Sequence, residues 1–460
     1  MTKINSALFV GFENTHAEHL LSELDRNNLL SGVEKSFMVK GTIHVGDCQI
    51  FNRQVNSEFL MNYQSIFSLD DFNLYTDNLL HEFGLTAVIH RHFYKSKFFD
   101  LDLIRLRLLS YVYDIIKSKK IDLLVFNIAP HQPAGYTAFI WGKKLGIPIL
   151  ILNNLAQLNA KVGCNDILGF NELVSSNWRD NDDSEEISMV IDNEIERVSN
   201  FDHNYMTKQH KLLGSKFKRL LKAGIYKGIP TPRGFIRQYQ TEKDREYYLE
   251  NANFDEAEIE QKPFVYVSLQ FGPEDTTVPR GSVFMQQYLM CQKVLSLFSE
   301  QKDILVLIKE HPSQFMLRPR PKMRTKQLYK ALLSLSDRVR LVSTSVHARQ
   351  LIEKCLVTIS VSSTVAFESV LLGKPSITFG DSPYNGYPGV YTYNHLIELQ
   401  NRGESVVEYL TSRKIEQNDV RVFLKSYCSN PFVSMVDLAN PEDNMKGCVR
   451  ILKNFLEAYH

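Results

Sequence analysis

Ile304-Leu305-Val306-Leu307-Ile308, followed at once by Lys309-Glu310-His311-Pro312, is a short apolar run of strand type that ends in charge. Leu356 to Val361 repeats the pattern and ends in Ser362-Ser363-Thr364, which opens a helix over Val365-Ala366-Phe367-Glu368. Unbroken apolar runs of this length fit strands of a parallel sheet buried on both faces. Ligands of such sheets bind at the carboxyl ends of the strands. Two polar clusters at two such ends therefore point to one site. A helix start of Ser-Ser-Thr offers hydroxyls and free N–H groups suited to an anion, above all a phosphate.

Outward from this stretch, strand signals recur at 264–269, 304–308, 339–342, 356–361 and 376–379. Helical stretches separate them at about 284–299, 325–334, 347–355 and 364–372. Gly373-Lys374-Pro375 stops the last of these helices. The first 155 residues carry the same rhythm. Ala7–Phe12 and Ile121–Phe126 read as strands, Phe37–Val39 and Ile149–Leu152 as further ones. Residues 70–84, 98–118 and 135–145 read as helices. Between the two rhythmic regions, residues 171–260 begin acidic and turn basic, with Pro230-Thr231-Pro232 interrupting a helical pattern. The expectation is α/β: two Rossmann-like domains facing across a cleft, with a helical insertion between them. The expected boundaries are 1–170 for an acceptor domain, 171–260 for a helical, basic bridge and 261–440 for a nucleotide-sugar domain. A helix at 441–460 would cross back to the first domain.

Composition narrows the classes. At 460 residues the chain exceeds one ordinary core. A content of 44% hydrophobic and 23% charged residues is that of a soluble globular protein, and a net charge of +1 gives no overall bias toward nucleic acid or membrane. The six cysteines form no Cys-x-x-Cys pair and read as reduced thiols. No apolar run approaches the roughly 18 residues of a membrane span. The expected location is cytoplasmic, with inner-membrane association left open. For that association, Lys208, Lys211, Lys216, Lys218, Arg219 and Lys222 surround Leu212, Leu213, Phe217, Leu220 and Leu221. Such a mixture suits peripheral contact with anionic lipid, and equally a solvated helix face.

Candidate chemistry lies at the strand ends. Gln270-Phe271-Gly272-Pro273-Glu274-Asp275 follows the strand at 264–269 and carries adjacent carboxylates on a Gly-Pro loop, suited to a nucleophile, a base or a cap. His311 can donate to a phosphate, and Pro312 fixes its loop. Lys309 and Glu310 form either part of the site or a plain ion pair. Glu368, one turn beyond Thr364, can accept from a ribose. Asp381–Gly389 either covers a ligand or is a surface loop, and Arg318–Lys326 reads as a mobile basic loop. In the first domain Glu13, His16 and His131 sit at strand ends as acceptor-side candidates. Asp100-Leu101-Asp102 reads as a helix cap, and no metal site or cofactor is expected. Loops of the Gly-x-x-x-x-Gly-Lys-Ser/Thr and Gly-x-Gly-x-x-Gly types are lacking.

These motifs carry a resemblance. Tyr266–Gln270 with Pro273-Glu274, then Lys309–Gln314, then Ser363–Glu368 with Gly373-Lys374-Pro375, resemble the capsule polysaccharide synthesis family. The likeness is strong over 262–390 and weaker over 1–155, where Pro130-His131 is its best point. The family has the GT-B architecture and contains transferases of Kdo and of nonulosonic acids such as pseudaminic acid. The resemblance implies a glycosyltransferase that uses a CMP-sugar donor, without metal, on a glycan or lipid-linked glycan acceptor, and no nucleic-acid partner. It implies donor binding by Gln270, Lys309, Glu310, His311, Pro312, Ser362, Ser363, Thr364 and Glu368. Catalysis would fall to His311 and, in a retaining enzyme, to Glu274 as nucleophile. The alternatives are a CDP-glycerol-type polyol-phosphate transferase, a UDP-sugar transferase or epimerase of the same architecture, and a non-enzymatic assembly scaffold.

Overall fold

The computed structural model describes residues 4–38, 49–51, 59–60, 63, 79–93, 98–177, 184–200, 225–226, 229–230, 232–252, 260–272, 277–311, 314 and 324–459. The chain forms two compact units: Met1–Glu194 with Val422–His460, and Ile195–Arg421. Each is a parallel-rich α/β layer, so the two α/β units expected from the sequence are present.

The strands of the first unit are β1 (Ser6–Val10), β2 (Glu34–Met38), β3 (Gln49–Phe51), β4 (Leu123–Phe126), β5 (Ile149–Leu155) and β6 (Ala160–Cys164). A short antiparallel hairpin follows, β7 (Ile225–Tyr226) with β8 (Ile229–Pro230). The second unit contributes β9 (Phe264–Ser268), β10 (Leu305–Lys309), β11 (Val339–Val342), β12 (Thr358–Ser360), β13 (Ser376–Thr378) and β14 (Val390–Thr392). The chain then re-enters the first sheet as β15 (Val433–Met435).

The order in the first sheet is β15-β6-β5-β4-β1-β2-β3, and in the second β11-β10-β9-β12-β13-β14. Both are doubly wound, because the chain moves outward from the first strand of each unit and then starts again on its other side. The reversal lies between β1 and β4 in the first unit and between β9 and β12 in the second. At such a switch point the connections leave in opposite directions and open a crevice over the carboxyl ends of the strands. Apolar side chains fill both faces of the second sheet. Val265, Val267, Val306, Ile308 and Ile359 face one cluster, and Phe264, Tyr266, Leu305 and Leu307 the other.

Several elements depart from the sequence reading. Ala160–Cys164 forms a strand although it carries Lys161 and Gly163, and pairs antiparallel with β5 across a tight turn at Ala156–Asn159. Asn159 takes the left-handed conformation there (φ 44°), which asparagine tolerates better than most residues. The return to the first unit comes at Val422, not at residue 441, because β15 pairs antiparallel with β6 before the last helix begins. That helix, Pro441–Tyr459, packs on the helix Asn14–Arg26 and on β5, β6 and β15. Asp100 and Asp102 lie inside the helix Phe98–Ser118, in or just past its first turn, and Asp102 pairs with Arg105 at 3.9 Å. Their carboxylates oppose the positive helix end instead of capping it.

In the stretch between the rhythmic regions, helices cover Glu172–Ser176, Glu185–Asn200 and Pro232–Asn251. The basic positions from Lys208 to Lys222 lie outside the described residues. Among the described residues no helix is long and apolar enough to cross a membrane.

Candidate functional site

Three neighbouring strand ends of the second unit supply the candidate residues. β9 lies between β10 and β12, so the exits at Gln270, Glu310 and Ser362 are adjacent. Pairing runs one residue past β9, with Leu269 N–H donating to Lys309 O at 2.9 Å.

Gln270 crosses the switch point. Its Oε1 accepts from Ser362 N–H at 2.8 Å, and its Nε2 donates to Ser362 Oγ at 3.3 Å. Gln287 holds the Gln270 backbone from behind, accepting from its N–H at 2.8 Å and donating to its carbonyl at 3.2 Å. Both glutamines are buried. Gln270 therefore fixes the place of the Ser-Ser-Thr turn, with its own amide turned inward. Beyond it, Ser363 Oγ accepts from Val365 N–H at 3.2 Å, and Ser363 N–H donates to Ser360 Oγ at 3.2 Å. Thr364 precedes the helix Val365–Leu371 and makes no side-chain cap bond. Ser363, Thr364 and Glu368 keep partial exposure, whereas Ser362 is buried.

The exit of β10 rests on a buried charge pair. Arg324 Nε donates to Glu310 Oε1 at 2.7 Å, with the two side chains 5% and 0% exposed. Arg324 Nη2 also donates to Gln270 O at 2.9 Å. Glu310 thus pairs with Arg324 and not with Lys309, and its carboxylate is turned into the unit. Arg324 itself, read from sequence as part of a mobile basic loop, is a buried link between two strand ends. The helix Pro232–Asn251 adds Tyr248, whose hydroxyl accepts from Glu310 N–H at 3.0 Å and donates to Val342 O. Tyr329 packs against Tyr248 with ring centres 5.0 Å apart. Burial raises the Glu310 carboxyl, against the opposing pull of Arg324.

Lys309, 3% exposed, is pushed down to about 8 by burial, with Glu310 opposing. Burial, then the charges of Lys309 and Arg324, lower His311 to about 4. The imidazole is therefore neutral near pH 7 and carries one N–H donor and one acceptor. Its ring lies 5.9 Å from that of Phe271. Gln314 ties the β9 and β10 exits together: its Oε1 accepts from Gly272 N–H at 3.1 Å and its N–H donates to His311 O at 2.9 Å.

The structure thus brings together Gln270, Lys309, Glu310, His311 and Ser362 to Thr364. Four of them, Gln270, Lys309, Glu310 and Ser362, are buried supports, and the partly exposed surface belongs to His311, Ser363 and Thr364 with Glu368 a turn along. Glu274 and Pro312 lie outside the described residues. The loop after β13 is not a free cover: Tyr384 and Tyr387 are buried, their ring centres 5.5 and 6.1 Å from that of Phe367. Sequence reasoning missed Arg324, Tyr248 and Gln287. Arg324 was hidden in a run of basic residues, and Tyr248 and Gln287 sit in helices with no local motif.

The first unit has its own polar corner at its switch point. Gly11 leaves β1 with φ 79°, a conformation that favours glycine, and donates its N–H to Met38 O at 3.1 Å. Glu13 is exposed and His16 half-buried in the first turn of the helix that follows. Burial lowers the His16 imidazole, helped by Lys161 and opposed by Glu13. At the β4 exit, Asn127 N–H donates to Val10 O at 3.0 Å. His131 Nδ1 lies 3.0 Å from Ala129 O and donates to it.

Comparison with known proteins gives the following. Residues 207–418 match the family model described as capsule polysaccharide biosynthesis protein, the family that the motifs resemble. No curated protein matches significantly. Among solved structures, the Thermosulfurimonas dismutans KpsC beta Kdo 2,4 transferase is similar at 11% identity, over 74% of this chain and 94% of that one, with a TM-score of 0.33. The beta Kdo 2,7 transferase of the same KpsC gives 11% identity over 85% and 97%, with a TM-score of 0.32. The UDP-GlcNAc 2-epimerase from Neisseria meningitidis, bound to UDP-GlcNAc, gives 12% over 93% and 100%, with a TM-score of 0.26. Superpositions at this level establish neither a shared activity nor a shared ligand.

Proposed function

We propose that this chain, whose residues 207–418 carry the capsule polysaccharide biosynthesis match, is a glycosyltransferase of surface glycan assembly. It moves an acidic sugar, Kdo or a nonulosonic acid such as pseudaminic acid, from its CMP form to a capsule or other surface glycan acceptor, without a divalent metal. The observation that carries this reading is the Gln270 clamp on Ser362. It fixes the start of the Ser363–Thr364 turn at the switch point of the second sheet, where doubly wound sheets bind nucleotides, with the neutral His311 at the exit of β10 one strand away.

In the reaction, the bond between the anomeric carbon and the CMP phosphate oxygen breaks and its electron pair stays on the phosphate. His311 donates its N–H to that phosphate, and the Ser363 and Thr364 hydroxyls do the same. Donors placed where charge develops are the largest single source of rate in such sites. In the retaining route Glu274 attacks the anomeric carbon as the phosphate leaves, and the acceptor oxygen then displaces the Glu274 carboxylate and gives up its proton to the released CMP phosphate. Glu13, His16 and His131 belong to the acceptor side. Peripheral contact with anionic lipid through the basic segment 203–240 belongs to the same proposal.

The test is incubation with CMP-Kdo, CMP-pseudaminic acid, CDP-glycerol and UDP-GlcNAc in the presence of capsule glycan fragments, read by mass spectrometry. CMP release matched by an acidic-sugar adduct supports the reading. Turnover of CDP-glycerol or UDP-GlcNAc alone contradicts it.

A further inference from the structure

The first unit buries a lysine that has no counter-charge among the described residues. Lys161 in β6 is 1% exposed. Its ammonium donates to Asn127 Oδ1 at 3.0 Å, to Asn127 O at 3.2 Å and to Leu152 O at 3.5 Å, all neutral acceptors. Among the described residues no carboxylate lies within ion-pair reach of it. Burial lowers the Lys161 ammonium, with Cys448 on the last helix opposing, and burial raises the Cys448 thiol in turn. A buried ammonium without an anion is costly, and a methionine would fill the same space at lower cost.

The position of this charge is informative. β6 pairs with β5 so that Lys161 faces Asn154, near the carboxyl end of β5. From there its ammonium reaches the exit of β4, which borders the β1–β4 reversal. Asn127 turns its Oδ1 toward the ammonium, so its amide N–H groups face away from Lys161. At the same reversal His16 has a buried Nδ1 with no hydrogen-bond partner. Glu13, exposed, is the residue before the helix that carries His16 and makes no side-chain cap bond to it.

We propose that Asn127 and His16, backed by the charge of Lys161, form a binding site for an anionic group of the acceptor, a sugar carboxylate or a sugar phosphate. This rests on the reading of the first unit as the acceptor side. Neutral donors beside an ammonium held by carbonyl oxygens stabilise an anion without having to shed a counter-ion first, and a bound anion in turn favours the charged form of Lys161.

The test is ligand-observed saturation-transfer NMR on the full chain, titrated with glucuronate, glucose 6-phosphate and glucose. The variants are Asn127→Asp, Lys161→Met and His311→Ala. Asn127→Asp is nearly isosteric and gives Lys161 an internal counter-ion, so its melting temperature should not fall. Both first-unit variants should weaken binding of the charged sugar by about tenfold or more, the effect of one charge-assisted contact. His311→Ala should leave that binding unchanged. Preference for glucuronate identifies a carboxylate, and preference for glucose 6-phosphate a phosphate. Absence of charged-sugar binding, equal binding of glucose, or binding that both first-unit variants retain overturns the proposal. CMP is added as a fourth ligand on the wild type: charged-sugar binding without CMP binding there would count against the donor reading alone, and CMP binding without charged-sugar binding against this proposal alone.

Discussion

Arg324→Met should separate support from chemistry in the second unit. The substitution removes the 2.7 Å bond to Glu310 and the 2.9 Å bond to Gln270 O. It leaves a carboxylate with 0% exposure whose Oε2 already lacks a hydrogen-bond partner. Removing one member of a buried pair costs about 3–5 kcal/mol. The lost bond to the Gln270 carbonyl adds about 1 kcal/mol. At roughly 2–4 °C per kcal/mol for a unit of this size, the melting transition should fall by about 10–20 °C. The double variant Glu310→Leu/Arg324→Met removes both charges and keeps the backbone bond from residue 310 to Tyr248. Its cost should be about 1–2 kcal/mol, since apolar replacement of a whole buried pair is often close to neutral. Differential scanning calorimetry of the wild type, both single variants and the double variant closes the cycle. An Arg324→Met transition within about 3 °C of wild type, or a double variant no more stable than Arg324→Met, would refute the reasoning.

Gln270→Leu deletes both amide bonds to Ser362 without touching His311, Ser363 or Thr364. It should cost about 1–3 kcal/mol through the orphaned Ser362 N–H and lower CMP affinity about tenfold, read by thermal melts and calorimetry. His311 links stability to pH. Its folded value of about 4 lies below the ordinary 6.5, so the unfolded chain takes the proton first. Stability should fall as pH drops from 6.5 to 4, by about 3 kcal/mol at most, and the term should add nothing further below pH 4. Urea denaturation at pH 7, 5.5 and 4 should show that part of the slope missing in His311→Gln; an identical slope in both proteins would rule out the buried neutral imidazole. Ser363→Ala removes the oxygen that accepts from Val365 N–H and should cost about 1 kcal/mol with a weaker hold on phosphate. Equal CMP affinity in this variant would exclude the hydroxyl from the donor site.

Five strands of the second unit were legible because each is a short, mostly apolar run, a pattern that burial on both faces demands, whereas the edge strand Val390–Thr392 was not read. The strand ends were legible for the same reason: Gln270, Lys309, His311 and Ser362 stand where the runs stop. Their division of labour was not. Whether Glu310 faces a ligand or Arg324 depends on a contact across 14 residues that no local spacing encodes. β6 and β15 went unread because Lys161, Gly163 and Ser434 break the apolar pattern. β6 forms a strand because β5 and β15 on either side complete its backbone bonds, and β15 forms one at the sheet edge by pairing with β6. Lys161 is the clearest case, since a lysine in a short polar run reads as surface and only the sheet order shows it to be interior. Helices fared better where the apolar period was long, as over Phe98–Ser118.

The central claim is that the β9–β12 switch point holds a cytidine monophosphate group. Isothermal titration with CMP, CDP and UDP, without added metal, on wild type and His311→Ala tests it most directly. The account predicts that CMP binds most tightly and that His311→Ala weakens it by about tenfold or more, the loss of one hydrogen bond to a charged group. Preference for UDP or CDP, or CMP binding unchanged in His311→Ala, would contradict it.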